Sequence, residues 1–188
     1  MANYDQDIFD MAISEGFNPR VAKYIVAQAR LESSDYGSPV FEKNNNMYGM
    51  KFVKQPLATR GTLAPPSERS KTCIDTNVCK DSDHYAKYKT PIDSPRDVIQ
   101  RLYKKERKGV GFAQLNSSKT PDEFASLLKQ RDYYGGTPQH YASMLKAKLL
   151  KMNIVETYAK YKKPIDYTLI GVTLIGASYI LYRLWYKK

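Results

Sequence analysis

Residues 28–51 read QARLESSDYGSPVFEKNNNMYGMK, and the fold turns on how this stretch leaves a helix. Val21, Ile25, Gln28 and Glu32 are spaced four, three and four apart, so Glu32 projects from the face that buries Val21 and Ile25. A carboxyl at that edge leaves the core beside a cleft. Partial burial disfavours its charged form and raises its pKa, as a group that delivers a proton near neutral pH requires. Glu32 is therefore a candidate general acid. Periodicity alone leaves open the alternative of an ordinary exposed Glu near a helix end.

Working outward, Asn18-Pro19 supplies an N-cap and a first-turn proline for this helix, and Gly37 and Pro39 end it. Before it, Asn3 and Gln6 open a short helix whose stripe of Ile8, Phe9, Ala12 and Ile13 stops at Gly16. From Phe52 to Pro91 the periodicity is lost and four prolines and glycines break any helix, which predicts a long loop or a small irregular β lobe. His84-Tyr85-Ala86-Lys87-Tyr88-Lys89 alternates like a returning strand, with Tyr85 or Tyr88 lining a cleft or packing under the loop. Ser94-Pro95 with Asp97 starts a third helix that runs to Gly109. Thr120-Pro121 with Glu123 starts a fourth that stops before Tyr133, and Thr137-Pro138 a fifth that runs to about Tyr161.

The last segment is different in kind. Ile165 to Trp185 is apolar, with no charge from Tyr167 to Tyr182 and lysines on both sides. About 20 residues at 1.5 Å each give roughly 30 Å, the apolar thickness of a bilayer. The expectation is a C-terminal transmembrane helix over 165–185 with aromatic ends, against the alternative of a buried helix. The domains are then 1–163 and an anchor, 164–188. Met1 to Asp10 is polar and acidic, unlike a signal peptide. Six lysines between Lys146 and Lys163 precede the span against three basic residues after it, which places the N-terminal domain on the cytoplasmic side.

The net charge of +11 favours a polyanionic neighbour such as cell-wall polymer or anionic lipid. Nucleic acid is disfavoured, because the chain has no zinc, helix-turn-helix or stacking motif. Cys73 and Cys79 are too isolated for a four-ligand zinc site, and the reading stays open between a disulfide and two thiols. His84 and His140 are far apart. No metal or organic cofactor is implied.

The run Ala29-Arg30-Leu31-Glu32-Ser33-Ser34-Asp35-Tyr36-Gly37-Ser38, followed by Asn45-Asn46-Met47-Tyr48-Gly49-Met50-Lys51, resembles the active-site signature of the glucosaminidases of glycoside hydrolase family 73. Ser34 stands where the family often has glycine. Tyr133-Tyr134-Gly135-Gly136-Thr137-Pro138, with Tyr141-Ala142, is similar to the family's second motif and aligns Tyr134 with its tyrosine. The resemblance implies a mainly α, lysozyme-like α+β domain with a small irregular β lobe as the second cleft wall, to which the sequence adds the transmembrane helix. It implies hydrolysis of β-1,4 bonds in peptidoglycan, with Glu32 and Tyr134 catalytic. Ser33, Asn46, Tyr48, Gly49 and Tyr85 are candidates for substrate binding, and Glu68, Asp75 and Asp83 for a second carboxylate. A lytic transglycosylase and a non-catalytic binding module are the alternatives. Partners are then peptidoglycan glycan strands, a lipid membrane through 165–185, and other virion proteins, since a cytoplasmic-side wall hydrolase points to a bacteriophage lysin delivered in a viral membrane.

Overall fold

In the computed structural model, which describes residues 3–74, 78–152 and 154–155, the helix carrying Glu32 is α2 (Pro19–Glu32). Its start is set locally: Asn18, in extended backbone, accepts the Val21 amide at 3.0 Å, and Pro19 fills the first turn. Helix α1 (Tyr4–Ser14) begins on Asn3, which accepts from the Gln6 amide, and it is followed by Gly16 at φ +96°. Gly is suited there because its missing Cβ removes the left-handed penalty.

The apolar stripe of α2 (Val21, Ala22, Ile25, Val26, Ala29) is fully buried, as are Ile8, Phe9 and Ala12 of α1. Helix α2 packs against α1 on one side and α7 (Pro138–Leu149) on the other, and α7 packs in turn on α6 (Pro121–Gln130). Phe124, Leu128 and Leu145 close the same core. Each fully buried Ile, Leu or Phe contributes about 1.5–3 kcal/mol. An exposed ion pair such as Lys146–Asp122 contributes about 0–1 kcal/mol, so the stripe holds the bundle rather than the surface charge.

The β lobe is a two-stranded antiparallel sheet in which β1 (Ala58–Leu63) pairs with β2 (His84–Tyr88), Ala58 opposite Tyr88 and Leu63 opposite His84. The register slips between Arg60 and Leu63. Gly61 lies in that irregularity, where a Cβ would meet the Asn44 side chain and stand 2.8 Å from the Tyr85 carbonyl oxygen. Asn44 uses the close approach to clamp β1, bonding Thr62 through both its amide nitrogen and its oxygen. Cys73 and Cys79 form a disulfide in the lobe's long loop, which resolves the reading left open by the sequence.

Several expectations are corrected. A further helix, α3 (Pro39–Asn44), lies against the sheet, capped by Ser38 and opened by Pro39, where only a chain break was read. The third expected helix is shorter: α4 (Asp93–Val98) passes into a π-helical turn, Ile99–Tyr103, and the separate α5 (Phe112–Asn116) follows. The fifth ends at Leu149 instead of about Tyr161. The fold class is also corrected: among the described residues no helix is long and apolar enough to cross a membrane, α2 with 14 residues being the longest. Residues 165–185 lie outside the described residues. The described fold is mainly helical with one two-stranded sheet, and it belongs to the unit of residues 1–155 into which the chain divides before 156–188.

Candidate active site

Helix α2 stops in an unusual way. Ser33, fully buried, donates from Oγ to the Ala29 carbonyl at 2.6 Å and accepts the Tyr36 amide at 3.0 Å. Between these anchors Ser34, Asp35 and Tyr36 all take left-handed backbone, with φ of 52°, 55° and 69°. Left-handed residues other than Gly cost about 1–2 kcal/mol each, so surrounding contacts must hold the turn. They come from three helices. Arg30 grips Asp5 of α1 in a bidentate pair, 2.8 Å at each nitrogen, and reaches Asp35 at 3.2 Å. The Tyr36 hydroxyl donates to Asp5 at 2.8 Å, and Lys148 of α7 donates to Asp35 at 2.6 Å. Burial pushes Asp35 up, but the bonds from Lys148 and Arg30 outweigh it and hold its carboxyl below the usual range.

Glu32 precedes this turn and is partly exposed. Burial raises its carboxyl above the ordinary value, and a hydrogen bond from the Tyr141 hydroxyl, 2.7 Å to Oε1, opposes the rise. Tyr141 is itself fixed by stacking on Tyr134, with ring centroids 4.0 Å apart and planes 7° from parallel. Four phenols surround the carboxyl closely enough to feel its charge. Burial raises Tyr48, Tyr103, Tyr133 and Tyr141, and the Glu32 charge adds to each rise, so all four stay protonated donors.

The sequence candidates separate into groups. Tyr134 does not bond Glu32: its hydroxyl donates to the Ala125 carbonyl at 2.8 Å, and its ring supports Tyr141. Asn46 is buried and staples its own loop to the sheet, through Met50 and the Ala86 carbonyl at 2.9 Å. Tyr48 is buried, and its hydroxyl donates to the Ile25 carbonyl at 3.0 Å, so its polar atom is already engaged within the fold. Gly49, at φ +59°, has open space where a Cβ would stand, so a ligand can approach its backbone. Glu68 is exposed on the lobe, paired with Lys51 at 2.7 Å and accepting the Tyr85 hydroxyl at 2.9 Å, while the Lys51 ammonium lies 4.3 Å from the Tyr85 ring centre. The bond from Lys51 holds the Glu68 carboxyl below its usual range. Asp83 is buried and accepts the Ser70 amide, the Ser70 hydroxyl and the Lys80 amide, a set that ties the disulfide loop together. Asp75 lies outside the described residues.

Sequence reasoning missed Tyr141 as the partner of Glu32, although its position four residues before Leu145 on the inner face of α7 was the signal. The geometry predicts a difference between two neighbours. Tyr141→Phe removes the bond that favours ionised Glu32, so the Glu32 pKa rises further. A general acid is active while protonated, so the alkaline limb of the kcat profile should move up by about 1–2 pH units, from a charged hydrogen bond of about 1.5–3 kcal/mol. Tyr134→Phe should leave that limb in place. Equal shifts in the two pH–rate profiles would show that Tyr141 does not govern Glu32.

Comparison with known proteins adds to this geometry. The family model for glucosaminidases, described as mannosyl-glycoprotein endo-beta-N-acetylglucosaminidase, matches residues 9–154. No curated protein matches the chain. A solved type VI secretion system effector-immunity complex from Pseudomonas protegens contains a similar chain, with 16% identity and a TM-score of 0.51 over 77% of this chain and 85% of that one. At that identity the likeness concerns the fold alone.

Proposed function

The chain belongs to the glucosaminidase family of glycoside hydrolases, and from that premise we propose that it hydrolyses peptidoglycan at the β-1,4 bond following N-acetylglucosamine, with Glu32 as general acid. The observation that carries this reading is the Glu32 carboxyl itself, raised by burial and held at one oxygen by Tyr141. Protonated Glu32 gives its proton to the leaving glycosidic oxygen. Positive charge then develops on the sugar, and an ionised carboxylate, an activated water or the substrate's own acetamido group must answer it.

Among the second-carboxylate candidates Glu68 suits that role best. It is exposed on the lobe, and the Lys51 ammonium at 2.7 Å and the Tyr85 hydroxyl at 2.9 Å favour the charged form that such a role needs. Asp83 already accepts three hydrogen bonds within its loop. Lys51 and Tyr85 then act on Glu68 by holding its charge and direction. The backbone at Gly49 gives the glycan a close approach to the same loop.

Borohydride reduction and mass spectrometry of the muropeptides released by the full chain test this reading. Reduced N-acetylglucosamine at the new ends is expected. Reduced N-acetylmuramic acid would overturn the bond assignment, and anhydro ends would show a lytic transglycosylase instead.

A further inference from the structure

Between α3 and the end of β1 lies a cavity of about 390 Å³, with Tyr85 of β2 in its wall. That is the small end of the roughly 300–1,000 Å³ typical of ligand pockets. Pro39 and Val40 of α3 form one side, and Leu63 and Pro65 the other. Both sides continue segments that carry candidate carboxyls. The Ser38 amide, one residue before α3, bonds the Ser33 carbonyl at 2.9 Å, at the end of the helix that carries Glu32. Across the cavity Arg69 follows Glu68 in the chain, and the Tyr85 hydroxyl donates to Glu68 at 2.9 Å. The cavity therefore borders the Glu68 side of the proposed site.

Two cations line this space. Lys43, exposed on α3, has no ion-pair partner among the described residues. Arg69 donates from Nε to the Ala64 carbonyl, which fixes the stem of the guanidinium, and its two terminal nitrogens have no acceptor among the described residues. Those two nitrogens form a fork of the kind that meets a carboxylate through two parallel bonds. No acidic side chain belongs to the lining: Glu42, next to Lys43, is exposed outside it, and Glu68 is held by Lys51. A sugar ring, whose hydroxyls both donate and accept, is poorly matched here. The lining has no carboxylate or side-chain amide, and the Thr62 hydroxyl already accepts from Asn44 Nδ2 at 2.7 Å. Aliphatic sides with two available cations suit a chain of small apolar groups that bears carboxylates.

We infer that this cavity is a subsite for the short peptide carried on alternate sugars of peptidoglycan, with Lys43 and Arg69 binding a carboxylate of that peptide. The inference rests on the proposed peptidoglycan substrate. In that polymer the sugar backbone is uncharged once its lactyl groups are amide-linked, and the carboxylates belong to peptides rich in alanine. Alanyl methyls match Pro39, Val40, Leu63 and Pro65, and the carboxylate matches the two cations. The net charge of +11 attracts any polyanion, whereas cations set in a shaped cavity select one. Contacts of this kind lie away from the reacting bond, so they distinguish peptide-bearing glycan from bare glycan, a distinction that groups acting on the sugar linkage do not make.

The test gives the full chain two substrates: soluble glycan strands with their peptides intact, and the same strands freed of peptide by an amidase. The wild type should show a KM about 10-fold lower on the peptide-bearing strands at similar kcat, the order expected of charge-assisted hydrogen bonds. Lys43→Gln, at an exposed position, should raise KM on those strands by about 3- to 10-fold and remove most of the preference. Arg69→Gln should do the same, and Arg69→Lys, which keeps the charge, should retain more of the preference than Arg69→Gln. Equal KM on the two strands in the wild type overturns the subsite, as does a change in Lys43→Gln that is the same on both. Should the chain cleave neither strand, the hydrolase reading falls and the cavity is decided by calorimetry. The probes are then the free tetrapeptide L-alanyl-γ-D-glutamyl-L-lysyl-D-alanine and its fully amidated form. Tighter binding of the acid, weakened by Lys43→Gln, upholds the subsite, and equal or absent binding of the two forms overturns it.

Discussion

Glu32→Gln should reduce wall hydrolysis by about 100- to 10,000-fold while leaving the protein folded, since the loss of a general acid costs this much and the amide keeps the side-chain shape. Stability gives a second, independent reading of the same substitution. The folded-state pKa of Glu32 lies above its unfolded value of 4.5, so this carboxyl contributes stability that is fully present below that value and lost as pH rises through the folded pKa. As pH rises and the desolvated carboxyl ionises, its charge therefore weighs against folding. Glutamine carries no such charge, and the unfolding temperature of the variant at pH 7 should equal or exceed that of the wild type, with the advantage shrinking toward pH 4. Tyr141 can still donate to the amide oxygen, which keeps the stacked pair of Tyr134 and Tyr141 in place. Activity and thermal melts on the same preparations check both parts. A variant that hydrolyses purified peptidoglycan like the wild type would remove Glu32 from the chemistry, and a lower melting temperature at pH 7 would mark it as a structural residue.

The parts of this molecule that sequence reading recovers are those decided within a few residues. Asn18-Pro19, Thr120-Pro121 and Thr137-Pro138 each place a capping side chain before a proline, and α2, α6 and α7 begin there. Ser38-Pro39 carries the same signal directly after Gly37 and begins α3. The orientation of polar side chains in the loops was less legible, because it depends on backbone groups distant in the chain. Asn46 faces the Ala86 carbonyl and Asp83 the Ser70 amide, partners 40 and 13 residues away. The pairing of Glu32 with Tyr141 spans 109 residues, and alignment on a motif pointed to the adjacent aromatic, Tyr134. The ring of tyrosines is legible only in three dimensions: Tyr48, Tyr103, Tyr133 and Tyr141 come from four separate segments, and nothing in their spacing marks them as neighbours of one carboxyl. The left-handed run from Ser34 to Tyr36 was hidden for a different reason, since residues with side chains rarely adopt it without tertiary support.

That support makes Asp5 the position outside the site where a small change should matter most. Asp5 is buried, and Asp5→Asn keeps its size while removing the charge that Arg30 grips through two nitrogens and that the Tyr36 hydroxyl also bonds. Breaking a buried pair from one side costs about 3–5 kcal/mol, because the other charge is left without its partner. Arg30 retains Asp35 and is 19% exposed, so the expected loss lies at the lower end, about 3 kcal/mol. For a domain of this size that corresponds to roughly 6–12 °C in unfolding temperature. The loss should also reach the site. Tyr36 and Arg30 brace the left-handed turn that begins two residues after Glu32, and a turn that is costly in itself relaxes when its braces are weakened. In the folded variant kcat should fall several-fold, by less than in Glu32→Gln, while the alkaline limb set by Tyr141 and Glu32 keeps its position. Thermal melts and a pH–rate profile below the melting range measure the two effects separately. A melting temperature within 2 °C of the wild type would show that the Asp5–Arg30 pair does not hold the turn, and an unchanged kcat in a clearly destabilised variant would show that the turn does not position Glu32.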